Sequence, residues 1–278
     1  MKVVIIGGTA ALIDEAAAIA GASATQRTAV GVWRLEAPAM HAARRVRLCD
    51  LCESARADFF LIDMPRELTS MKLAVMDMDS TLITIECIDE IADMQGLKPQ
   101  VSAITAAAMR GELDYAASLK RRVALLKGLE VDGLERVYRE RLRLSPGAET
   151  MLAAFRTAGL KTLLVSGGFT FFTSRLQQRL GIDYTASNTL GIESGRLTGE
   201  VLGEIVDAEV KRRALIETCA RIGCMPAEAI AIGDGANDLK MMGAAGISIA
   251  YLAKPVVRAQ ATHAINHNGL DAVLSVFD

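Results

Sequence analysis

Aromatic side chains, histidines and prolines are scarce in this sequence of 278 residues. Aromatic residues make up 4% of the chain, and there are only 3 His and 6 Pro. The apolar core must therefore be built from Ala, Val, Leu, Ile and the 12 Met, since hydrophobic residues still reach 51%. So few histidines argue against a metal centre with several imidazole ligands. The large hydrophobic share excludes a disordered chain.

An excess of charge of either sign is also missing. Lys and Arg number 31 against 33 Asp and Glu, so the net charge is −2. Nucleic-acid binding favours a basic surface, and we therefore expect no nucleic-acid partner. No apolar run is long enough to cross a membrane without a charge, and Asp14 and Glu15 interrupt the first one. With an odd number of cysteines, 5, these features favour a cytoplasmic protein without a membrane partner.

The first part of the chain, residues 1–70, has the pattern of a small α/β module. Short apolar runs predict buried strands, and apolar residues at helical spacing predict helices between them. The predicted elements, in order, are a strand at Lys2–Gly7, a helix at Ala10–Ala20, a strand at Ala29–Leu35, a helix at Met40–Arg56 and a strand at Asp58–Asp63. This is a βαβαβ-like arrangement without obvious catalytic residues, and the polar stretch Pro65–Ser70 would link it to the rest.

The second part, residues 71–278, alternates apolar strands with helices, which is typical of a parallel sheet covered on both faces. Strands are predicted at Lys72–Asp77, Lys161–Ser166, Ile182–Ala186, Ala229–Gly233 and Gly246–Ala250. A long helical block at about 85–145 follows the first of them. It is too large for an ordinary connection between strands. We interpret it as an inserted cap over the carboxyl edge of the sheet, where ligands bind in such folds.

Acidic residues follow two of these strands. Asp77 and Asp79 leave the first strand, and Asp234 and Asp238 lie in the Gly-Asp-Gly-Ala-Asn-Asp stretch after a later one. Each stretch alone is compatible with an ordinary turn, because Asp, Ser and Gly are common there. Two acidic strand ends on one edge of a parallel sheet favour a site for a hard cation such as Mg²⁺, which prefers oxygen ligands.

A third strand ends in Val165-Ser166-Gly167-Gly168. The hydroxyl group and the backbone N–H groups of the glycines could hold phosphate oxygens, although such a sequence is also an ordinary loop. Lys211 stands early in a predicted helix and could supply positive charge for a phosphoryl group. A single surface lysine is more often simply solvated.

The order of these motifs resembles the haloacid dehalogenase superfamily, and in detail its phosphoserine phosphatase family. The segments that carry the resemblance are 77–90 (DMDSTLITIECIDE), 109–122 (MRGELDYAASLKRR), 166–172 (SGGFTFF) and 232–242 (IGDGANDLKMM). It extends over about residues 72–270. It implies a Rossmann-like parallel sheet with an inserted helical cap, preceded here by a small α+β module. In related proteins an ACT-type ligand-binding domain often occupies that place.

The resemblance also implies a role for each site residue. Asp77 would attack the phosphorus of O-phospho-L-serine and form an aspartyl-phosphate, and Asp79 would act as general acid and then as base. Hydrolysis would give L-serine, the last step of its biosynthesis. Mg²⁺ would be bound by the Asp77 carboxylate, the backbone carbonyl of Asp79 and Asp234, with Asp238 supporting the metal. The phosphate contacts would be Ser166, Gly167, Lys211 and Asn237.

Substrate specificity would come from the cap. By the resemblance, Glu86 would bind the substrate ammonium group and Arg122 its carboxylate, since a guanidinium suits bidentate pairing. Met109 and Tyr115 would form an apolar wall, although the family often has Phe in place of Tyr115. The plain alternative is that Glu86 and Arg122 are two solvated helix charges.

Other functions stay open at this point. A phosphotransferase that passes the phosphoryl group to another alcohol would use the same residues, and another small phosphorylated metabolite could be the substrate. The N-terminal module could sense serine or form a homodimer. Cys49 and Cys52 raise a redox or zinc interpretation, but one CxxC without a second pair is weak, and two thiols sharing a helix face explain it.

Overall fold

The computed structural model describes residues 1–278, and its first six elements form a separate antiparallel sheet with two helices. They are β1 (Lys2–Ile6), α1 (Ala10–Ala20), β2 (Ala24–Ala29), β3 (Val32–Glu36), α2 (Ala42–Ser54) and β4 (Asp58–Ile62). The strand order is β2-β3-β1-β4. This is the βαββαβ topology of ferredoxin-like units, with one strand more than the sequence pattern indicates.

The predicted strand at Ala29–Leu35 is wrong in detail, because a hairpin turn divides it. Gly31 has a φ of +73° and reverses the chain between β2 and β3. All six residues of β2 are exposed, so the strand carries no alternation of apolar and polar residues from which it could be predicted.

The remaining elements form a seven-stranded sheet flanked by helices and a helical cap. The strands are β5 (Leu73–Met76), β6 (Lys161–Phe169), β7 (Tyr184–Glu193), β8 (Arg196–Leu202), β9 (Ala229–Gly233), β10 (Ile247–Tyr251) and β11 (His263–Ile265). The cap helices are α3 (Cys87–Asp93), α4 (Lys98–Met109), α5 (Tyr115–Ala124) and α6 (Val131–Arg136). The helices that follow are α7 (Ala148–Thr157), α8 (Thr170–Leu180), α9 (Ala208–Ile222), α10 (Leu239–Ala244) and α11 (Pro255–Arg258).

The order of the large sheet is β11-β10-β9-β5-β6-β7-β8. All neighbours run parallel except β7 and β8, which are antiparallel. The predicted α/β core with an inserted cap is therefore confirmed, with two corrections. The strand predicted at Ile182–Ala186 begins at Tyr184 and extends to Glu193. A hairpin turn at Ser194 and Gly195, both with positive φ, then leads into the antiparallel strand β8. Strand β11 was not predicted.

The central strands are apolar along their whole length because helices cover both faces of the sheet. Every residue of β5, β9 and β10 is buried. Because β5, β6 and β9 are parallel neighbours, their carboxyl ends lie at one edge. The residues that follow these strands are thereby brought together beneath the cap.

The small sheet packs against the large unit rather than standing apart from it. On one face Val3 and Ile5 of β1 pack against α1 and α2. The alternate residues Val4 and Ile6 belong to the apolar cluster of the large unit, as expected for side chains that point to opposite faces of a strand. The buried carboxylate of Asp58 fixes the contact, because it accepts hydrogen bonds from the backbone N–H groups of residues 266–268 at 2.7–3.1 Å.

None of the helices is both long enough and apolar enough to span a membrane.

His263 makes the stability of this region depend on pH. Its ring lies 5.3 Å from that of Phe60, centroid to centroid, in an edge-on arrangement, and burial lowers its pKa to about 4. The unfolded chain binds the proton near pH 6.5, so this contribution to stability is present above that pH and is lost as the pH falls towards 4. We expect a loss of about 2 kcal/mol between pH 7 and pH 5. Urea denaturation of the wild type and of His263→Gln at both values measures it. An equal pH dependence in the variant would show that His263 is not responsible.

Candidate active site

A cavity of about 560 Å³ lies between the carboxyl edge of the large sheet and the cap. Nearly all of the predicted site residues line it. They are Asp77, Asp79, Glu86, Met109, Tyr115, Arg122, Ser166, Gly167, Asp234 and Asn237. The remaining two, Lys211 and Asp238, are fully buried beneath its floor. The sheet and the cap thus bring together in space residues that are up to 160 positions apart along the chain.

Asp77 is the residue directly after β5, and its carboxylate is fixed from two sides. Its Oδ1 accepts the N–H of Met78 at 2.7 Å, and its Oδ2 lies 2.8 Å from Nζ of Lys211. Burial and the negative charge of Asp238 raise the pKa of Asp77, although Lys211 opposes the shift. A carboxylate held in one orientation at the cavity floor has the geometry that a nucleophile requires.

Lys211 bridges Asp77 and Asp238. Its Nζ donates to Oδ1 of Asp238 at 2.7 Å, and its side chain is inaccessible to solvent. Burial disfavours its charge, but the two carboxylates outweigh that effect and raise the pKa of Lys211 above its usual range. The lysine therefore stays cationic and balances part of the negative charge of the floor.

Asp79 lies two residues after Asp77 and lines the same cavity, at a bend in the chain. Ser80 has a φ of +56°, an unusual conformation for a residue with a side chain, and its hydroxyl donates to Oε1 of Glu86 at 2.7 Å. Asp79 Oδ1 accepts the N–H of Cys87 at 3.3 Å. Burial raises the pKa of Asp79 to about 7, the charge of Glu86 adds to the shift, and hydrogen bonds from Cys87 oppose it. Such a carboxyl group can both give and accept a proton near neutral pH.

Three carboxylates could hold a metal ion. Oxygen atoms of Asp77, Asp234 and Asp238 lie within 4.8 Å of one another. Thr81 donates to Oδ1 of Asp234 at 2.9 Å and orients it, while burial raises the pKa of Asp234 to about 6. Three carboxylates face one lysine, so the cluster keeps an excess of negative charge that a divalent cation would compensate. Oxygen donors and this charge fit Mg²⁺.

The loop after Ser166 lines the cavity with the backbone of Gly167 and Gly168. Ser166 pairs with Ser187 and Phe169 with Asn188, so Gly167 and Gly168 bulge out of the sheet between them. Glycine is required at both positions: a Cβ on Gly167 would collide with the Tyr115 hydroxyl, and one on Gly168 would lie 2.9 Å from Oδ2 of Asp79. Ser166 Oγ accepts the N–H of Gly168 at 2.8 Å, which leaves its own proton to donate. The bulge is a cradle in which the Ser166 hydroxyl could donate to an anionic oxygen.

The cap supplies the groups opposite this cradle. Arg122 lies on α5, and its Nε is buried without any hydrogen-bond partner, so the guanidinium has an unused donor inside the site. Glu86 opens onto the same cavity. Tyr115 donates to the Gly167 carbonyl at 3.4 Å. Met109 lines the rim but is 71% exposed, so it contributes less to an apolar wall than the sequence prediction suggests.

Several residues at the site were not singled out from the sequence. Thr81 orients Asp234, and buried Asn188 donates to the Gly167 carbonyl at 2.7 Å and accepts the N–H of Val206 at 2.9 Å. Asp89 and Lys254 also line the cavity. Thr81 stands inside the acidic motif and could have been noticed there. For Asn188, in the middle of a strand, the sequence offers no signal.

The chain is similar to known hydrolases over most of its length. A family model for haloacid dehalogenase-like hydrolases matches residues 71–246. A phosphoserine phosphatase from a Polaromonas species is 59% identical over 215 residues, which cover 76% of this chain and 91% of that protein.

Two solved structures extend the likeness. A haloacid dehalogenase family hydrolase of Salmonella enterica serovar Typhi is 35% identical with a TM-score of 0.90, and the match covers 100% of this chain and 99% of that one. A phosphoserine phosphatase solved as an analogue of the phospho-aspartyl intermediate is 36% identical with a TM-score of 0.70, over 75% of this chain and 99% of that one. The first of these matches includes the N-terminal sheet.

Proposed function

Since this chain belongs to the haloacid dehalogenase-like hydrolases, and within them to the phosphoserine phosphatase family, we propose that it hydrolyses O-phospho-L-serine to L-serine and phosphate. The observation that carries the choice of substrate is Arg122, which lines a cavity that also contains Glu86 and the aspartates and whose buried Nε has no partner in the protein. A guanidinium and a carboxylate on the cap are complementary to the carboxylate and ammonium groups of an amino acid.

The reaction would proceed in two displacements. Asp77 attacks the phosphorus, the bond from phosphorus to the serine oxygen breaks, and that oxygen takes the proton of Asp79. Asp79 then removes a proton from a water molecule, which attacks the aspartyl-phosphate and releases phosphate and the free Asp77 carboxylate. The raised pKa of Asp79, about 7, supports both duties. Because Asp79 lies close to the nucleophile and can activate water, the aspartyl-phosphate would be hydrolysed rather than persist.

Mg²⁺ is part of the proposal. The carboxylates of Asp77 and Asp234 and the backbone carbonyl of Asp79 would bind it, with Asp238 in support, and it would offset the repulsion between nucleophile and phosphate. Asp238 already accepts hydrogen bonds from Lys211 and from the N–H of Gly235. This supports an outer position for Asp238.

The phosphate would lie in the cradle formed by Ser166 and the bulged Gly167, with Asn237 on the opposite side. The resemblance implies a phosphate contact for Lys211, but Lys211 is buried beneath the cavity floor. It would therefore act through the Asp77 carboxylate, which it holds in place. Tyr115 and Met109 would border the substrate on the cap side. We place this reaction at the end of serine biosynthesis in the cytoplasm.

We further propose that residues 1–70 form a module of their own and residues 71–278 the phosphatase domain. A separate apolar cluster around β1, α1 and α2 supports this division. A cavity of about 940 Å³ between α2 and β4 on one side and β11 on the other is where a regulatory ligand of the module would bind.

Replacing Arg122 with alanine tests the proposed substrate. If Arg122 pairs with the substrate carboxylate, its loss leaves that carboxylate buried and unpaired, which costs about 2–5 kcal/mol. We expect kcat/KM for phosphoserine to fall roughly 30-fold to several-thousand-fold. Hydrolysis of phosphoethanolamine, which has the amine but no carboxylate, should hardly change. The measurement compares both substrates with both proteins.

Arg121→Ala is the matched control, because Arg121 is the adjacent residue of α5 but is exposed and outside the cavity. It should hydrolyse both substrates normally. Equal losses on both substrates in Arg122→Ala would mean that Arg122 contacts the phosphate or supports the fold. No loss on either would show that the cap does not recognise a carboxylate.

A further inference from the structure

Lys254 lines the catalytic cavity, yet neither the mechanism nor the cap contacts give it a role. Its side chain is exposed. The other lysine of the site, Lys211, is fully engaged with Asp77 and Asp238. The ammonium group of Lys254, in contrast, forms no ion pair or hydrogen bond in the protein. An unpaired cation at the mouth of a catalytic cavity is available for an incoming anion.

The backbone fixes this lysine on the side of the sheet, opposite the cap. Ala250 pairs with Gly233 in the parallel ladder, so the residues after β10 emerge beside Asp234. Leu252 has a φ of +46°, and its N–H donates to the Ile265 carbonyl at 2.7 Å. Lys254 directly precedes Pro255, the first residue of α11, which restricts its backbone further. The loop therefore holds Lys254 on the sheet side of the cavity, whereas Glu86 and Arg122 belong to the cap.

The charges of the cavity explain why such a cation is needed. The carboxylates that line it are Asp77, Asp79, Glu86, Asp89 and Asp234. Asp77 is already paired with Lys211, which leaves four carboxylates against two cations, Arg122 and Lys254. A phosphate dianion that approaches this mouth meets a negative potential, and an exposed cation at the rim lowers that barrier and raises the rate of productive encounter.

We propose that Lys254 captures the phosphoryl group of the substrate at the entrance of the cavity and contributes to phosphate affinity. This rests on the proposed function only in that the substrate is a phosphomonoester. The contact would be to the phosphate and not to the amino-acid part. Its contribution is therefore the same for every phosphomonoester, in contrast to that of Arg122.

The test compares Lys254→Met and Lys254→Arg with the wild type, using phosphoserine and p-nitrophenyl phosphate as substrates and inorganic phosphate as inhibitor. For Lys254→Met at low salt we expect kcat/KM to fall roughly 3- to 10-fold for both substrates, with kcat changed by less than about twofold. The inhibition constant of phosphate should rise by a similar factor. The differences should shrink as salt is added, because exposed charges are screened. Lys254→Arg should retain most of the affinity.

Lys127→Met removes the same charge from an exposed position outside the cavity and should leave all constants unchanged. The proposal is overturned if Lys254→Met alters neither KM nor phosphate inhibition, if Lys254→Arg is as impaired as Lys254→Met, or if only phosphoserine is affected. Should phosphoserine prove not to be the substrate, p-nitrophenyl phosphate and phosphate inhibition still decide the role of Lys254.

Discussion

Replacing Asp77 with asparagine is expected to abolish turnover and to prevent formation of a covalent phosphoenzyme. The amide has nearly the same shape and can still accept the N–H of Met78, but it cannot attack phosphorus and it weakens the proposed metal site. Loss of a covalent nucleophile typically lowers kcat by about 10⁴- to 10⁶-fold. Steady-state assays and acid-quenched samples with labelled phosphoserine measure turnover and the phosphoenzyme separately.

Asp207→Asn is the control for this substitution. Asp207 caps α9, the helix that carries Lys211, by accepting the N–H groups of Glu209 and Val210 at 2.9 Å each. Asparagine caps helices equally well, so this variant should be active and fold normally. Labelled phosphoenzyme in Asp77→Asn would show that another residue is the nucleophile.

Asp79→Asn should produce the second large loss, with a different signature. The asparagine can still accept the N–H of Cys87, but it can neither protonate the serine oxygen nor activate water. Each of these two proton transfers typically contributes about 10²–10⁴-fold to the reaction rate. An aryl phosphate has a good leaving group that needs no acid, so its first step should be nearly spared while the second stays slow. We therefore expect phosphoenzyme to accumulate with the aryl phosphate and not with phosphoserine, as rapid acid quenching would reveal.

Asp93→Asn offers a control, since Asp93 is an aspartate at the end of cap helix α3, outside the cavity and paired with Lys98 and Arg141. Exposed pairs of this kind contribute little, and activity should be retained. If Asp79→Asn turned over phosphoserine at a nearly normal rate, another group would have to be the acid.

The edge of the sheet that carries the aspartates was predictable because its signals are local. The apolar run of β5 ends directly at Asp77, and that of β9 ends directly before Asp234. A fully buried parallel strand leaves no ambiguity about where the chain emerges. Because β5 and β9 are parallel, their carboxyl ends lie at the same edge of the sheet. The aspartates that follow them can therefore be expected to lie close together before any side-chain contact is known.

Edge strands were less predictable because one of their sides faces solvent. Strand β2, with the sequence ATQRTA, is exposed throughout and has neither apolar residues nor alternation. Strand β8 was not predicted, although Ser194-Gly195 is a dipeptide typical of a hairpin turn. In the structure both residues adopt positive φ. Strand β11 has three residues, too few for any period to be detected.

Supporting residues of the site escaped prediction for a different reason, which is that their partners are distant in sequence. Thr81 contacts Asp234 across 153 positions. Asn188 fixes Gly167 and Val206 from the interior of a strand, where nothing in the neighbouring residues distinguishes it. Lys254 resembles any surface lysine until the fold places it beside the cavity.

The way Asp58 and β1 join the two sheets limits how this protein can be divided. Asp58 caps the backbone of residues 266–268 directly after the edge strand β11, and Val4 and Ile6 fill the apolar surface beside it. A fragment starting at residue 71 would carry an uncovered apolar face next to an open strand edge, a combination that promotes self-association. The N-terminal sheet therefore also covers an apolar face of residues 71–278. Exchanging it for a different domain would require redesign of that face.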